Sequence, residues 1–218
     1  MLNTILNEMS SCERCSFADS NYPPLVPVRM ADNARIMFIG ENPSWEFGQR
    51  VPFDGITNSG RALHENYLLP LKRTYNLKES DFWITDLFKC RYPKSVYRKK
   101  SSLQDLISTS VTTCATTWLA EEIRFTKPEI IITLGDKEVY QRFRRIFNLT
   151  CTSAFADAAY KIHEIEISGH KCKLFPTCHP DISYNNSRKP IPSRKWSKLH
   201  QSEFINSLKD CFTRNSVQ

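Results

Sequence analysis

Glycine is scarce in this chain, six residues in 218, and no segment is repeated or reduced to a few residue types. Collagen-like, repeat and low-complexity architectures are therefore excluded. Long hydrophobic runs are missing as well: stretches such as Ile130-Ile131-Ile132 fall far short of the roughly 20 apolar residues that a membrane-spanning helix needs. The amino terminus lacks a basic-then-apolar leader pattern, so a soluble, cytoplasmic protein with no membrane association is expected. Neither G-x-G-x-x-G nor G-x-x-x-x-G-K-[ST] occurs, which disfavours a nucleotide-binding α/β protein. With 40% apolar and 11% aromatic residues, the chain has what one α/β domain spanning residues 1–218 requires.

Cations are plentiful: 30 Lys and Arg against 23 Asp and Glu give a net charge of +7, which favours a polyanionic partner. They cluster. Arg91, Lys94, Arg98, Lys99 and Lys100 are interleaved with Tyr92 and Tyr97, and Arg188, Lys189, Arg194, Lys195 and Lys198 surround Trp196. Aromatic rings among cations suit a strand of phosphates and bases; two solvated loops are the alternative reading. Eight cysteines in a reducing compartment are not expected to pair as disulfides. Cys12 and Cys15 form a C-x-x-C pair after a short helix candidate (Leu2 to Met9), and Cys90 and Cys114 stand apart in the middle of the chain. Cys151, Cys172, Cys178 and Cys211 show no partner spacing.

The pattern along the chain alternates strand and helix. Ala34 to Gly40, Asp81 to Asp86 and Glu129 to Gly135 have the short apolar character of buried parallel strands. Between them, Gly60 to Tyr75 reads as a helix with a kink at Pro70, and Leu103 to Phe125 as a second helix ended by Pro128. A third helix is expected from Asp136 to about Phe147. Tyr160 to Ile167 and Lys171 to Pro176 form a hairpin turning at Ser168-Gly169, and a final helix covers about Ser193 to Phe212. The expected architecture is three-layer α/β/α with a central, mostly parallel four-stranded sheet. Its strand ends carry polar loops: Gly40-Glu41-Asn42-Pro43-Ser44 with Pro52-Phe53, then Thr85-Asp86, then His179-Pro180. Such loops emerge on one edge of a parallel sheet, so an acid, an aromatic face, a polar reader and an imidazole can converge there.

In these residues the sequence resembles the uracil-DNA glycosylase superfamily, most closely its iron-sulfur members, usually called family 4. The resemblance runs from about Ile5 to Phe212. Gly40-Glu41-Asn42-Pro43-Ser44 is similar to the first family motif, Pro52-Phe53-x-Gly55 to the base-stacking segment, Asp86-x-x-Lys89-Cys90-Arg91 to a segment reading Asn-x-x-Lys-Cys-Arg, and His179-Pro180 to the last motif. The resemblance implies a monofunctional glycosylase that acts, as a monomer, on DNA containing a deaminated or modified base. Cys12, Cys15, Cys90 and Cys114 then correspond to the four ligands of a 4Fe–4S cluster, with zinc or buried thiols as alternatives. The 23 residues between Cys90 and Cys114 exceed the family's usual gap.

The resemblance also implies roles. Phe53 stacks on the extruded base, and His179 donates to the pyrimidine O2, where charge gathers as the bond breaks. Glu41 orients or deprotonates the water and faces the cationic sugar. Asn42 and Glu46 lie at the base, while Lys99 and Lys100 contact phosphates and Tyr184, Arg188 and Lys189 enter the duplex. Asp86 departs from the pattern, since the family's reader is an Asn that donates to O4 and accepts from the N3 hydrogen of uracil. A carboxyl group holding one proton matches the N4 and N3 groups of cytosine, which points to a modified cytosine such as that of phage DNA; the alternative is that Asp86 still reads uracil. A non-catalytic iron-sulfur DNA-binding protein of the same fold is the competing class.

Overall fold

A computed structural model of the chain describes residues 2–15, 24–27, 34–43, 49–91, 102–181 and 190–212. Its centre is a sheet built from β1 (Ile36–Gly40), β2 (Phe82–Asp86), β3 (Ile130–Leu134), β4 (His163–Ile167) and β5 (His170–Thr177), in the order β2-β1-β3-β5-β4. All neighbours are parallel except β4 and β5. The sheet thus has five strands, not the expected four. The first arm of the hairpin is a full strand, because Ser168 and Gly169 both adopt positive φ (51° and 77°) and close a two-residue turn that folds β4 back along the β5 edge.

Every residue of β1 and β3 is buried, the consequence of covering a parallel sheet on both faces. The covering helices are α1 (Leu2–Ser10), α2 (Asn58–Leu63), α3 (Leu69–Tyr75), α4 (Ser102–Cys114), α5 (Ala120–Thr126), α6 (Arg142–Ile146), α7 (Phe155–Ala158) and α8 (Pro190–Phe212). α2 and α3 are joined by a π-helical stretch, His64–Leu68, which absorbs the kink expected at Pro70. Pro70 has no N–H for the carbonyl of Asn66 four residues back. His200 Nε2 on α8 takes that carbonyl instead, at 2.9 Å. A second π stretch, Ala115–Leu119, joins α4 to α5, so the long expected helix is present with a widened middle turn. No described helix is long and apolar enough to cross a membrane.

Chain order and spatial order diverge at β1, which has β2 on one side and β3 on the other. In open α/β sheets the crevice at such a reversal, outside the carboxyl ends of the strands, is where ligands bind. Glu41, Asp86, Asp136 and His179 all stand at or just past those ends.

Candidate active site

Gly40 is the floor of the crevice. It lies opposite Asp86 in the β1–β2 register, and Leu87 and Phe88 donate backbone N–H bonds to the carbonyls of Gly40 (2.9 Å) and Glu41 (3.0 Å), locking the two strand exits together. A methyl group at Gly40 would collide with Asp86 Oδ1 and with the ring of Phe53, so the absent side chain is the space in which those two groups meet. Phe53 is held in the left-handed region (φ 52°), unusual for a bulky aromatic residue and a mark of a constrained loop. The constraint is visible: Asp54 accepts from the N–H groups of Arg50 (3.1 Å) and Ile56 (3.3 Å), Thr57 caps α2 through Gly60 N–H (2.9 Å), and Gly60 packs against the carbonyls of Phe53 and Asp54.

Asp86 is buried, and among the described residues neither carboxyl oxygen has a hydrogen-bond partner. Desolvation pushes it up to about 7; Lys89 opposes the rise, and the charges of Glu122 and Glu41 add to it. Lys89 does not bond the carboxyl, because its ammonium is committed elsewhere: to Thr85 Oγ1 (2.5 Å), to the main-chain carbonyl of Asp86 (2.7 Å) and to Glu122 (2.8 Å). Glu122 in turn accepts from the indole of Trp83 at 3.2 Å. This closed polar cluster under the crevice left no sign in the sequence beyond single polar residues within apolar segments.

Glu41 keeps 29% of its side chain exposed at the crevice and is bound by Arg142 Nη1 at 3.2 Å. Desolvation and the nearby charge of Glu138 push its carboxyl up to about 7 against the pull of Arg142. Arg142 also pairs with Glu138 one helical turn earlier. Asn42, half-buried, donates from Nδ2 to Pro43 O at 2.9 Å.

His179 follows β5. Its Nδ1 accepts from the N–H of Asp181 at 3.2 Å, which leaves the proton of a neutral ring on Nε2, and burial pulls its pKa below the usual value. A buried brace holds the preceding residue: Tyr67 donates to Cys178 O at 2.7 Å, and Cys178 N–H and Sγ both contact Tyr160 Oη. Tyr160, with φ 59°, donates to His200 Nδ1 at 3.1 Å, whose other nitrogen is fixed on Asn66 O. Neither this brace nor Arg142 was apparent from the sequence.

Cys12, Cys15, Cys90 and Cys114 line one pocket with Phe88 and Trp118. Trp118 Nε1 lies 3.3 Å from Cys12 Sγ, Lys89 N lies 3.4 Å from Cys114 Sγ, and Cys15 and Cys90 are hydrogen-bonded to each other. None of the eight cysteines forms a disulfide. Glu46, Lys99, Lys100, Tyr184, Arg188 and Lys189 lie outside the described residues, as do Ser44, Tyr92, Lys94, Tyr97 and Arg98.

Residues 27–208 match the family described as the Uracil DNA glycosylase superfamily. The chain belongs to that superfamily. Among its relatives is a protein of Saccharolobus solfataricus named Type-4 uracil-DNA glycosylase, 30% identical over 203 residues, which are 92% of this chain and 86% of that one. A protein of the same name from Archaeoglobus fulgidus is 28% identical over 182 residues, 82% of this chain and 81% of its own. The α/β architecture is that of a superfamily member, and Glu41, Asp86 and His179 stand at or just past the carboxyl ends of its strands, with Phe53 and Asp86 against Gly40.

Proposed function

We propose that this chain is a monofunctional DNA glycosylase that hydrolyses the N-glycosidic bond of an extruded pyrimidine, uracil or a modified cytosine. What supports the reading most is the meeting at Gly40 of a flat ring and a buried carboxyl that has no partner among the described residues, with the partly exposed carboxylate of Glu41 next along the chain and the neutral imidazole of His179 at the carboxyl end of β5 in the same sheet. Phe53 stacks on the base, His179 Nε2–H stabilises the negative charge that builds on O2, and Glu41 holds the attacking water and faces the oxocarbenium-like sugar. Since the departing base leaves with its electron pair and water supplies the new sugar oxygen, no lysine nucleophile is required.

The base is read at Asp86. A protonated carboxyl group has one donor and one acceptor, and either oxygen can carry the proton. It therefore satisfies the O4 and N3–H groups of uracil in one arrangement, or the N3 and N4–H groups of cytosine in the other. Kinship with Type-4 enzymes supports uracil, and the replacement of an amide by an acid supports a modified cytosine. A modified cytosine belongs to foreign DNA such as that of a phage, which gives the second reading a role in defence. The experiment is incubation with single-stranded and duplex oligonucleotides carrying uracil, hypoxanthine, 5-hydroxymethylcytosine or its glucosylated form, followed by detection of abasic sites. Abasic sites from any of the pyrimidines support the reading, and their absence from all of them refutes it in favour of a non-catalytic DNA-binding protein.

The four-cysteine pocket fits a 4Fe–4S cluster. Four thiols from separate parts of the chain surround one space, with N–H groups beside two of the sulfurs, as thiolate ligands require. Among the described residues no group of three or more His, Cys, Asp and Glu side chains is drawn together as a metal site, and zinc is the alternative occupant of the same four thiolates. A cluster held there supplies cross-linking of α1, the β2 exit and α4, and the chemistry at the crevice is left to the protein's own side chains.

A further inference from the structure

Two carboxyl groups occupy this crevice, and the two tasks assigned to them under the reading above need opposite protonation states. Glu41 must be charged to hold a water and face a cationic sugar. Asp86 must carry a proton to donate to one atom of a pyrimidine edge while accepting from its neighbour. The strand register sets Asp86 beside Gly40, so Glu41 is the next residue along, and the charge of Glu41 raises the Asp86 carboxyl. A charged Glu41 therefore favours a protonated Asp86, and a protonated Glu41 relieves that bias, so the state of one carboxyl is linked to the state of the other.

The surroundings of the two are unequal. The charged groups facing Glu41 are Arg142 and Glu138 on the helical turns after β3, together with Asp86 on β2. Those facing Asp86 are Lys89 at the β2 exit, Glu122 on α5 and Glu41. Arg142 bonds Glu41 directly, Nη1 to Oε1 at 3.2 Å, and is itself held by Glu138. Lys89 bonds Thr85, the Asp86 carbonyl and Glu122, and no described residue hydrogen-bonds the Asp86 carboxyl. Among the described residues one carboxyl is hydrogen-bonded by a cation and the other is not.

We propose that Arg142 is a positioning residue that pins Glu41 as the carboxylate of the crevice and so leaves the proton on Asp86, where the base is read. Glu138 tempers this by sharing the guanidinium. The inference rests on the assignment of Glu41 and Asp86 to a pyrimidine glycosylase, and it adds a residue that acts through Glu41.

The test is the pH profile of single-turnover excision, on a uracil-containing oligonucleotide, for wild type, Arg142→Met, Arg142→Lys, Glu138→Gln and Asp86→Asn. In wild type the acid limb reports Glu41 and the alkaline limb Asp86. Arg142→Met is expected to move the acid limb to higher pH by about one unit, so that activity at pH 6 relative to the profile maximum drops about tenfold. Arg142→Lys should restore most of the wild-type limb, Glu138→Gln should move it to lower pH, and Asp86→Asn should remove the alkaline limb. A merely structural Arg142 would lower the whole profile without moving it. A second measurement needs no substrate: infrared titration of protein with carboxyl-¹³C-labelled Glu or Asp, with Asp86→Asn and Glu41→Gln to assign the bands. Arg142→Met should protonate Glu41 at higher pH than wild type does and ionise Asp86 at lower pH. Limbs that shift alike in Arg142→Met and Glu138→Gln, or infrared titrations identical in wild type and Arg142→Met, overturn the proposal. Infrared shifts as expected in a protein that excises no pyrimidine uphold the division of the proton and overturn the glycosylase assignment alone.

Discussion

Asp86→Asn is the substitution with the most directly calculable consequence. Burial holds the Asp86 carboxyl at about 7 against its ordinary 3.8, and that rise corresponds to about 4 kcal/mol favouring the protonated form in the folded protein. The sign follows from a folded value above the unfolded one. The stability associated with the proton is fully present below about pH 3.8 and is lost at about 1.4 kcal/mol per pH unit until about pH 7, where the loss levels off. Asparagine has no proton to lose. The Tm of Asp86→Asn should therefore match wild type near pH 4 and exceed it increasingly up to pH 8, by on the order of 10 °C for a chain of this size. Glu41 leaves a residual slope in the variant, reduced because the neighbouring charge is gone. Thermal melts of the two proteins at four pH values between 4 and 8, in buffers of matched ionic strength, measure the gap. A gap that is constant across this range, or a wild type that gains stability with rising pH, would show that Asp86 is ionised and paired in the folded state, and the reasoning about base reading would fail with it.

Gly40→Ala places a methyl group on Asp86 Oδ1 and the Phe53 ring and should reduce excision about 100-fold through misplacement of both, with a loss of about 1–3 kcal/mol of stability as the buried groups give way. Lys89→Met breaks a buried pair and strands Glu122, a cost of about 3–5 kcal/mol readable by denaturation, and Lys89→Met with Glu122→Gln should recover part of it. Tyr67→Phe removes the donor to Cys178 O; about 1 kcal/mol of stability should be lost, and kcat should fall while KM for DNA holds, since the brace sets His179 rather than the DNA surface. Anaerobically purified protein should contain iron and be brown, and Cys114→Ala should lose both colour and iron; zinc without iron would refute the cluster assignment.

The fold was readable where one physical requirement dominates. A parallel strand covered on both faces must be apolar throughout, and Ile36–Ile39 and Ile130–Ile132 meet that requirement without ambiguity. Strand count was misjudged at the hairpin. In His163–Ile167 only Ile165 and Ile167 are buried, with Glu164 and Glu166 exposed, so the segment has the alternation of an edge strand and not the continuous run of the central ones. The π turns at His64–Leu68 and Ala115–Leu119 were invisible for a different reason. Their apolar spacing is that of an ordinary helix, and the wider turn is decided by where carbonyls find donors, as Asn66 does in His200 134 residues away.

The site divides along the same line. The positions of Glu41, Asp86 and His179 were legible because each ends or closely follows a strand whose direction is fixed, and direction alone brings strand ends to one edge, whereas Phe53 lies in the loop before α2 and was legible only through its motif. Arg142 and Lys89 were not, because their meaning lies in which acceptor each cation faces. Arg142 is one of three arginines within four residues, indistinguishable by spacing from Arg144 and Arg145; only the helix phase after Gly135 turns it toward Glu41. Lys89, in a segment read for its cysteine, proves to be buried, with its ammonium bonded to Thr85, the main chain and Glu122 and not to the nearby Asp86 carboxyl. An ionised, paired Asp86 would have its acceptors engaged by the protein and nothing left for a base. Under the proposed reading, the commitment of Lys89 to Thr85, the main chain and Glu122 is thus what leaves the Asp86 carboxyl open to a base, and the commitment of Arg142 to Glu41 is what keeps the proton on Asp86.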